Sequence, residues 1–234
     1  MLRYIAGMIV LIVGSVPLQV WAEAPAGVTA DIPVANASFE AAEVDPTGWG
    51  GSPSVEGWLE LDLDAIGSQN TGVFLNTPAG SWDHVANAEG KQLAFLHSFR
   101  GNALEQDLEA VYQTGCDYRL TVGVGVSARF PPSAEVPVDT IAIVLYYLDD
   151  NQPVDIVQQT VEPKGLSSTR LQDFSVYLPT VRAADAWAGK KIGVAIRAAG
   201  AVKLPGGFWD LDNVRLAESL QAEQPASASQ EGAP

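Results

Sequence analysis

Two acids at alternate positions, Asp210 and Asp212, stand in the stretch Gly207 to Leu216, which reads GFWDLDNVRL. In a strand, alternate residues share a face, so both carboxylates point the same way. Two carboxylates side by side repel unless a cation or a shared proton intervenes. Three chemistries fit that pattern: an edge strand with solvated acids, a cation site, or an acid in a cleft. A second informative stretch lies near the other end, Ile32 to Glu40, IPVANASFE. Calcium takes six to eight hard oxygen ligands, mixing carboxylates with carbonyls. If the two ends of the chain meet, one ion would pin both, and Glu40 and Asp212 are the carboxylates placed to hold it.

The elements that must position these acids are strands. The run Glu56 to Asp64 alternates apolar and acidic residues, with Trp58 off the beat, and Thr71 to Asn76 and Gln92 to Ser98 are short β-like runs. Asn102 to Glu109 has helical propensity, but its place between strand runs favours a strand. Asp117 to Ser127 alternates cleanly and puts Gly123 and Gly125 on one face, where a backbone or a ligand could approach closely. Thr140 to Leu148 is apolar enough for a buried strand, and Asp149 to Gln152 makes a hairpin turn to Val154–Val161. Arg170–Leu178, Lys191–Ala198 and Gly207–Leu216 complete the set, with one helical turn expected at Val181–Ala188. Many short strands divided by Gly, Pro and Asn predict an all-β, two-sheet antiparallel β-sandwich.

Composition limits the partners. The chain of 234 residues has 28 acids against 13 Lys plus Arg, a net charge of −15. Nucleic acid and anionic lipid both require a basic surface, which argues against them as partners. Residues 1–22 read as a secretory signal peptide: Arg3 gives the positive start, the segment from Ile5 to Val20 is mostly apolar, and Val20-Trp21-Ala22 puts small residues where signal peptidase looks. Secretion or periplasmic location, with no membrane anchor after cleavage, is the expectation. Residues 23–31 are expected as a linker, 32–216 as the module, and 217–234, rich in Ala, Ser, Gln, Glu and Pro, as a disordered tail. The lone Cys116 cannot form an internal disulfide and is expected as a small buried apolar group at a strand start. A monomer is expected.

Aromatic side chains give sugar-binding sites flat platforms, while amides and acids bind hydroxyls. Trp58, Trp82, Tyr146, Tyr147, Trp187 and Trp209 are the candidates. Trp82 leads, because Pro78 to Val85 is a polar loop with no strand pattern, and loops on rigid scaffolds gather recognition residues. Asp83, Asn76 and Asn87 are its polar neighbours, and Trp58 has acidic surroundings. An enzyme would rest on Asp210, Asp212, His84 and Tyr146. There is no Gly-x-Ser-x-Gly and no His-Glu-x-x-His, and the two histidines, His84 and His97, are too few for a rich transition-metal site.

Several segments carry a resemblance, in order. They are Asn36-Ala-Ser-Phe-Glu40, Trp49, Glu89 to Leu96, Leu104-Glu-Gln-Asp-Leu108, Tyr118-Arg-Leu-Thr-Val, Gly189 to Ile196 and Asp212-Asn-Val-Arg-Leu216. Together they resemble the calcium-containing carbohydrate-binding modules of families 4 and 9. The same order is similar to that of the cyclases that make hapalindole-type indole alkaloids. The resemblance implies a galactose-binding-like jelly roll with a structural calcium held by Glu40, Asp212 and backbone oxygens at Ser38 and Lys91. It implies either a non-catalytic binder of a carbohydrate or other polyhydroxylated ligand, or a small-molecule cyclase in which an acid in the cleft protonates the substrate. A metal ligand cannot easily also be a general acid. An envelope or matrix interaction protein is the third reading. The weight of these expectations falls on the non-catalytic binder.

Overall fold

The computed structural model describes residues 28–41, 43–46, 51–52, 54–61, 70–129, 138–200 and 207–220. The signal peptide, the candidate motif residue Trp49 and residues 221–234 lie outside them. The strands are β1 Val28–Ile32, β2 Gly51–Ser52, β3 Leu59–Leu61, β4 Thr71–Leu75, β5 Gln92–His97, β6 Ala103–Val111, β7 Cys116–Val126, β8 Ile141–Asp149, β9 Gln152–Val161, β10 Gln172–Leu178, β11 Lys191–Ala198 and β12 Phe208–Leu220. They form a seven-stranded sheet in the order β10-β7-β12-β5-β4-β2, with β1 also on β12, and a five-stranded sheet in the order β3-β6-β11-β8-β9. All pairings are antiparallel. The two-sheet β-sandwich read from the sequence is the observed fold. Among the described residues no helix is long and apolar enough to cross a membrane.

Alternation builds the core. On β8, Ile141, Ile143, Leu145 and Tyr147 turn inward, and on β11 Ile192, Val194 and Ile196 do the same. They meet Leu120, Val122 and Val124 of β7 and Trp209, Leu211 and Leu216 of β12. Trp209 is fully enclosed, and its indole N–H donates to the carbonyl of Asp139 at 3.0 Å, so the ring is buried without an orphaned donor. Asp150 and Asn151, both with positive φ, make the β8–β9 hairpin turn, a conformation that Asn and Asp tolerate. The segment Asn102–Glu109 is strand, not helix, because β6 takes its hydrogen bonds from β11 and β3. Val181–Ala188 contains no helix. It forms successive i→i−3 turns, Asp185 N to Arg182 O and Ala188 N to Asp185 O. Cys116 is a buried free thiol at the start of β7.

Two expected boundaries move. Residues 28–31, read as linker, are strand β1, and residues 217–220, read as tail, continue β12. They pair with each other, Val28 with Leu220 through Ile32 with Leu216. Val28–Ile32 alternates over only five residues and 217–220 does not alternate; each supplies backbone partners for the other.

On the outer face of the five-stranded sheet, Tyr146 lies across Gly193: a Cβ there would sit 2.1 Å from the ring. The Tyr146 hydroxyl donates to Asp107 at 2.7 Å and Arg197 lies 5.4 Å above the ring, so the ring has little room to yield. Gly193→Ala should therefore cost about 1–3 kcal/mol, as for other overpacking changes, read as a lower urea midpoint. An unchanged midpoint would mean that the ring moves aside freely.

Candidate functional site

Because Trp209 and Leu211 face the core, β12 presents Phe208, Asp210 and Asp212 on the opposite face of the seven-stranded sheet. Both acids share a face, as the alternation requires. Asp210 pairs across to Gly125 of β7 and Phe95 of β5, and Asp212 to Gly123. The two glycines are needed for close packing. A Cβ at Gly125 would lie 3.2 Å from Leu171 and from the Ser167 carbonyl, and one at Gly123 3.0 Å from the Asp212 carbonyl. Leu171 packs with Val85 and Leu93, and Phe74 and Ala88 border them. The segment 167–171 is latched to the loop before β5: Ala86 N donates to Thr169 O at 2.9 Å, and Asn87 Nδ2 donates to Leu171 O at 3.0 Å while its Oδ1 accepts from Leu171 N at 2.8 Å. This loop layer covers part of the sheet's outer face and removes both acids from water.

Asp210 is 4% exposed. One carboxyl oxygen is in a hydrogen bond with the Ser127 side chain, and Oδ1 has no partner among the described residues. Burial pushes its pKa up to about 7, against the opposing effects of Ser127 and the Arg129 charge. Aromatic rings share its face of the sheet: Phe95 is its cross-strand partner and Phe208 lies two residues before it, with Phe95 6.5 Å from Phe74 and 5.8 Å from Phe208, centroid to centroid, and His97 4.7 Å from Phe208. The Arg129 guanidinium lies 5.9 Å from the centre of Phe74 and is ion-paired with Asp83 at 2.9 Å. A carboxyl held in an apolar, aromatic setting is equipped to stay protonated near neutrality and to give that proton away.

Asp212 is fully buried and accepts hydrogen bonds from Glu89 N at 2.6 Å and Asn213 N at 2.7 Å. Burial raises its pKa to about 7, the two backbone N–H groups lower it, and the Glu89 and Glu40 charges raise it. Glu40 reaches the same place: its Oε1 accepts from Lys91 N at 2.8 Å and Gln92 N at 2.6 Å. Val214 N donates to Ala37 O at 2.9 Å, which binds the 36–41 turn to β12. Asn36, Phe39 and Asn213 all adopt positive φ, a costly conformation for non-glycine residues. Among the described residues no group of three His, Cys, Asp or Glu side chains gathers closely enough to hold a metal. The expected set needs only two carboxylates, with carbonyl oxygens for the rest. The fully buried Asp212 and the partly buried Glu40, whose charge raises the Asp212 pKa, are a carboxylate pair that would fit a hard cation, with Ser38 and Lys91 on the neighbouring segments that would have to add carbonyl oxygens.

The remaining expected site residues separate. Trp58 is 7% exposed, packs 5.6 Å from Phe39 and donates its indole N–H to Asn36 O at 3.3 Å. It is a core residue and no platform, because its off-beat position in the acidic run turns it inward. Asn76 and Asn87 spend their amides on Val85 and Leu171 backbone, so they build the loops and are not spare ligands for hydroxyls. Trp82 is 72% exposed, and its neighbour Asp83 pairs with Arg129. His84 hydrogen-bonds Thr77 O at 2.5 Å, inside the loop. Tyr146 belongs to the other sheet, away from Asp210. Tyr147 and Trp209 are core, and Trp187 is half-buried against it. Sequence reasoning missed Ser127, Arg129, Phe74, Phe95 and Phe208. Strand alternation around Asp210 could have pointed to Phe208, two residues before it, and to nothing on β4, β5 or β7.

The comparisons with known proteins agree with the fold. A Stig cyclase from Fischerella sp. TAU, solved with (3Z)-3-(1-methyl-2-pyrrolidinylidene)-3H-indole, is 21% identical; 83% of this chain and 100% of that one align, with a TM-score of 0.65. A second structure from Fischerella sp. TAU, with 4-(1H-indol-3-yl)butan-2-one, is 22% identical over 82% and 99%, TM-score 0.63. A cyclase from Fischerella sp. in its apo form is 22% identical over 83% and 98%, TM-score 0.62. At these identities the likeness is one of fold. No curated protein matches the sequence. The model of the HpiC1-like family, described as HpiC1 cyclase, matches residues 30–217, which takes in both acids, both loops that cover them and the strands beneath, and the chain belongs to that family.

Proposed function

We propose that the protein is a cyclase that closes a ring in a small, apolar, indole-type substrate, with Asp210 as the proton donor. The observation that carries this reading is a buried carboxyl with one oxygen unpartnered among the described residues, set among Phe74, Phe95 and Phe208. The Asp210 O–H gives its proton to an alkene carbon of the substrate and leaves a carbocation. The π faces of the phenylalanines stabilise that cation, and exclusion of water keeps it from being quenched. An internal double bond or ring attacks the cation, the new C–C bond closes the ring, and the proton then lost returns to the Asp210 carboxylate. The reaction is an isomerisation and consumes nothing.

General acids contribute roughly 10²–10⁴-fold. With an indole bearing an unsaturated terpenoid chain, Asp210→Asn should lower kcat by about that factor while the affinity for 4-(1H-indol-3-yl)butan-2-one stays within a few-fold. Unchanged turnover in a correctly folded Asp210→Asn variant would remove Asp210 from the chemistry.

A calcium ion at Glu40 and Asp212, with backbone oxygens at Ser38 and Lys91, is part of the same reading. Such an ion would tie the 36–41 turn to β12, offset the repulsion between the two acids, and stabilise the folded state by mass action. Asp212 then serves the metal and Asp210 the proton, which resolves the competition between the two tasks. Chelation should lower the melting temperature by several degrees (about 1–3 kcal/mol at calcium concentrations well above Kd), and Glu40→Gln or Asp212→Asn should abolish the calcium response. A melting temperature indifferent to both chelator and calcium would leave the two acids without a cation.

Carbohydrate binding remains the second reading, favoured by one observation, the exposure of Trp82 on its loop. It keeps Trp82 and Asp83 but loses Trp58, Asn76 and Asn87, whose polar groups are committed. A glycan array bound by the wild type and not by Trp82→Ala, at equal melting temperature, would favour it over the cyclase; an array with no binding would end it.

A further inference from the structure

The rim of the Asp210 site carries a guanidinium that the acid chemistry does not use. Arg129 lies two residues beyond Ser127, just past the end of β7, and its side chain is 38% exposed, whereas that of its partner Asp83 is 9% exposed. The ion pair uses the guanidinium edgeways. Nε donates to Asp83 Oδ2, and the other four N–H groups of the guanidinium find no partner among the described residues. The position of the guanidinium is fixed from two sides. Below it is Phe74, whose ring neighbours Phe95, the residue opposite Asp210. Beside it is a loop that is itself closed: Asn76 clasps Val85 through both amide atoms, His84 reaches Thr77 O, and Ser81 N donates to Pro78 O at 3.0 Å. Asp83 is therefore presented from a rigid support, and a pre-organised planar fork with unused donors stands over Phe74, beside the aromatic face that carries Asp210.

The charge balance says what such a fork binds. Asp83 already neutralises Arg129, so the pair carries no net positive charge for an anion. A carboxylate brought there would also face Asp83 and the overall acidity of the chain. An uncharged acceptor meets no such repulsion and still gains a hydrogen bond from a charged donor. We propose that Arg129, positioned by Asp83, is a specificity-determining residue that anchors a neutral hydrogen-bond acceptor, a carbonyl above all, on a substrate whose aromatic part lies against Phe74 and Phe95. The inference rests on the reading of the Asp210 face as the substrate site and adds the substrate class: an apolar ring system carrying an uncharged acceptor at the end nearer the solvent.

The test compares two probes with one skeleton, 4-(1H-indol-3-yl)butan-2-one and 3-butylindole, which lacks the carbonyl. Binding is measured by calorimetry on the wild type, Arg129→Met, Arg129→Lys, Asp83→Asn and Asp210→Asn, each checked for an unchanged circular dichroism spectrum. The wild type should prefer the ketone by about tenfold, the size expected for one hydrogen bond to a charged group. Arg129→Met should lose that preference and keep its affinity for 3-butylindole, Arg129→Lys should recover part of it, and Asp83→Asn should weaken it because the guanidinium loses its tether. Asp210→Asn should retain it, which separates this inference from the role of Asp210 as an acid. Equal affinity of the wild type for the two probes, failure to bind either, or a preference that survives Arg129→Met overturns the proposal.

Discussion

Strand β12 cannot bury Trp209 and Leu211 without sending Asp210 and Asp212 to the other face of the sheet, and that single alternation organises the molecule. Trp209 fills the centre of the sandwich, with its indole N–H satisfied by Asp139. The acids, forced outward, would be ordinary solvated groups if the face were open. It is not open. Gly123 and Gly125 let Leu171 and its segment settle onto β7, and the loop 84–90 is latched to that segment through Asn87. The fold therefore uses a central strand of the seven-stranded sheet to hold two carboxylates out of water, an arrangement that is costly for the charged forms unless a proton or a cation compensates.

The two acids meet that cost in different company. Asp212 lies where the 36–41 turn, the residues before β5 and the β12 bulge converge, and it accepts two backbone N–H bonds with Glu40 nearby. That is a polar, anion-repelling corner suited to a cation. Asp210, two residues away, has phenylalanine rings, one serine and an ion pair already closed on itself. Its cheapest neutral state is the protonated one. One strand thus carries a group suited to hold the chain ends and a group suited to catalysis, each defined by what the neighbouring strands bring.

Much of this was legible in the sequence, and the rest was not, for identifiable reasons. Period-two alternation gave the strands and the shared face of Asp210 and Asp212. The motif Asn36 to Glu40 and its counterpart at Asp212 pointed to ends that meet, and they do meet, through Val214 N and Ala37 O. Trp82 stood out as a loop tryptophan and is exposed. What failed needed three-dimensional neighbours. Trp58 looks like a platform until Phe39 and the Asn36 carbonyl are placed beside it. Asn76 and Asn87 look like sugar ligands until Val85 and Leu171 take their amides. Ser127, Arg129 and the three phenylalanines come from three strands and the end of a fourth, and only register, Phe95 opposite Asp210 and Asp210 opposite Gly125, gathers them. The expectation of a non-catalytic binder had the greater weight because no catalytic motif was visible; a single buried acid in an aromatic setting has no sequence signature.

The central claim is that Asp210 delivers a proton to carbon, and solvent isotope labelling reads that transfer directly. Turnover in D2O should place one non-exchangeable deuterium on the carbon that is protonated, seen by mass spectrometry and located by NMR, and Asp210→Asn should cut the rate of labelled product by the same roughly 10²–10⁴-fold as kcat. Cyclised product without deuterium, or labelling that persists undiminished in Asp210→Asn, would contradict the account.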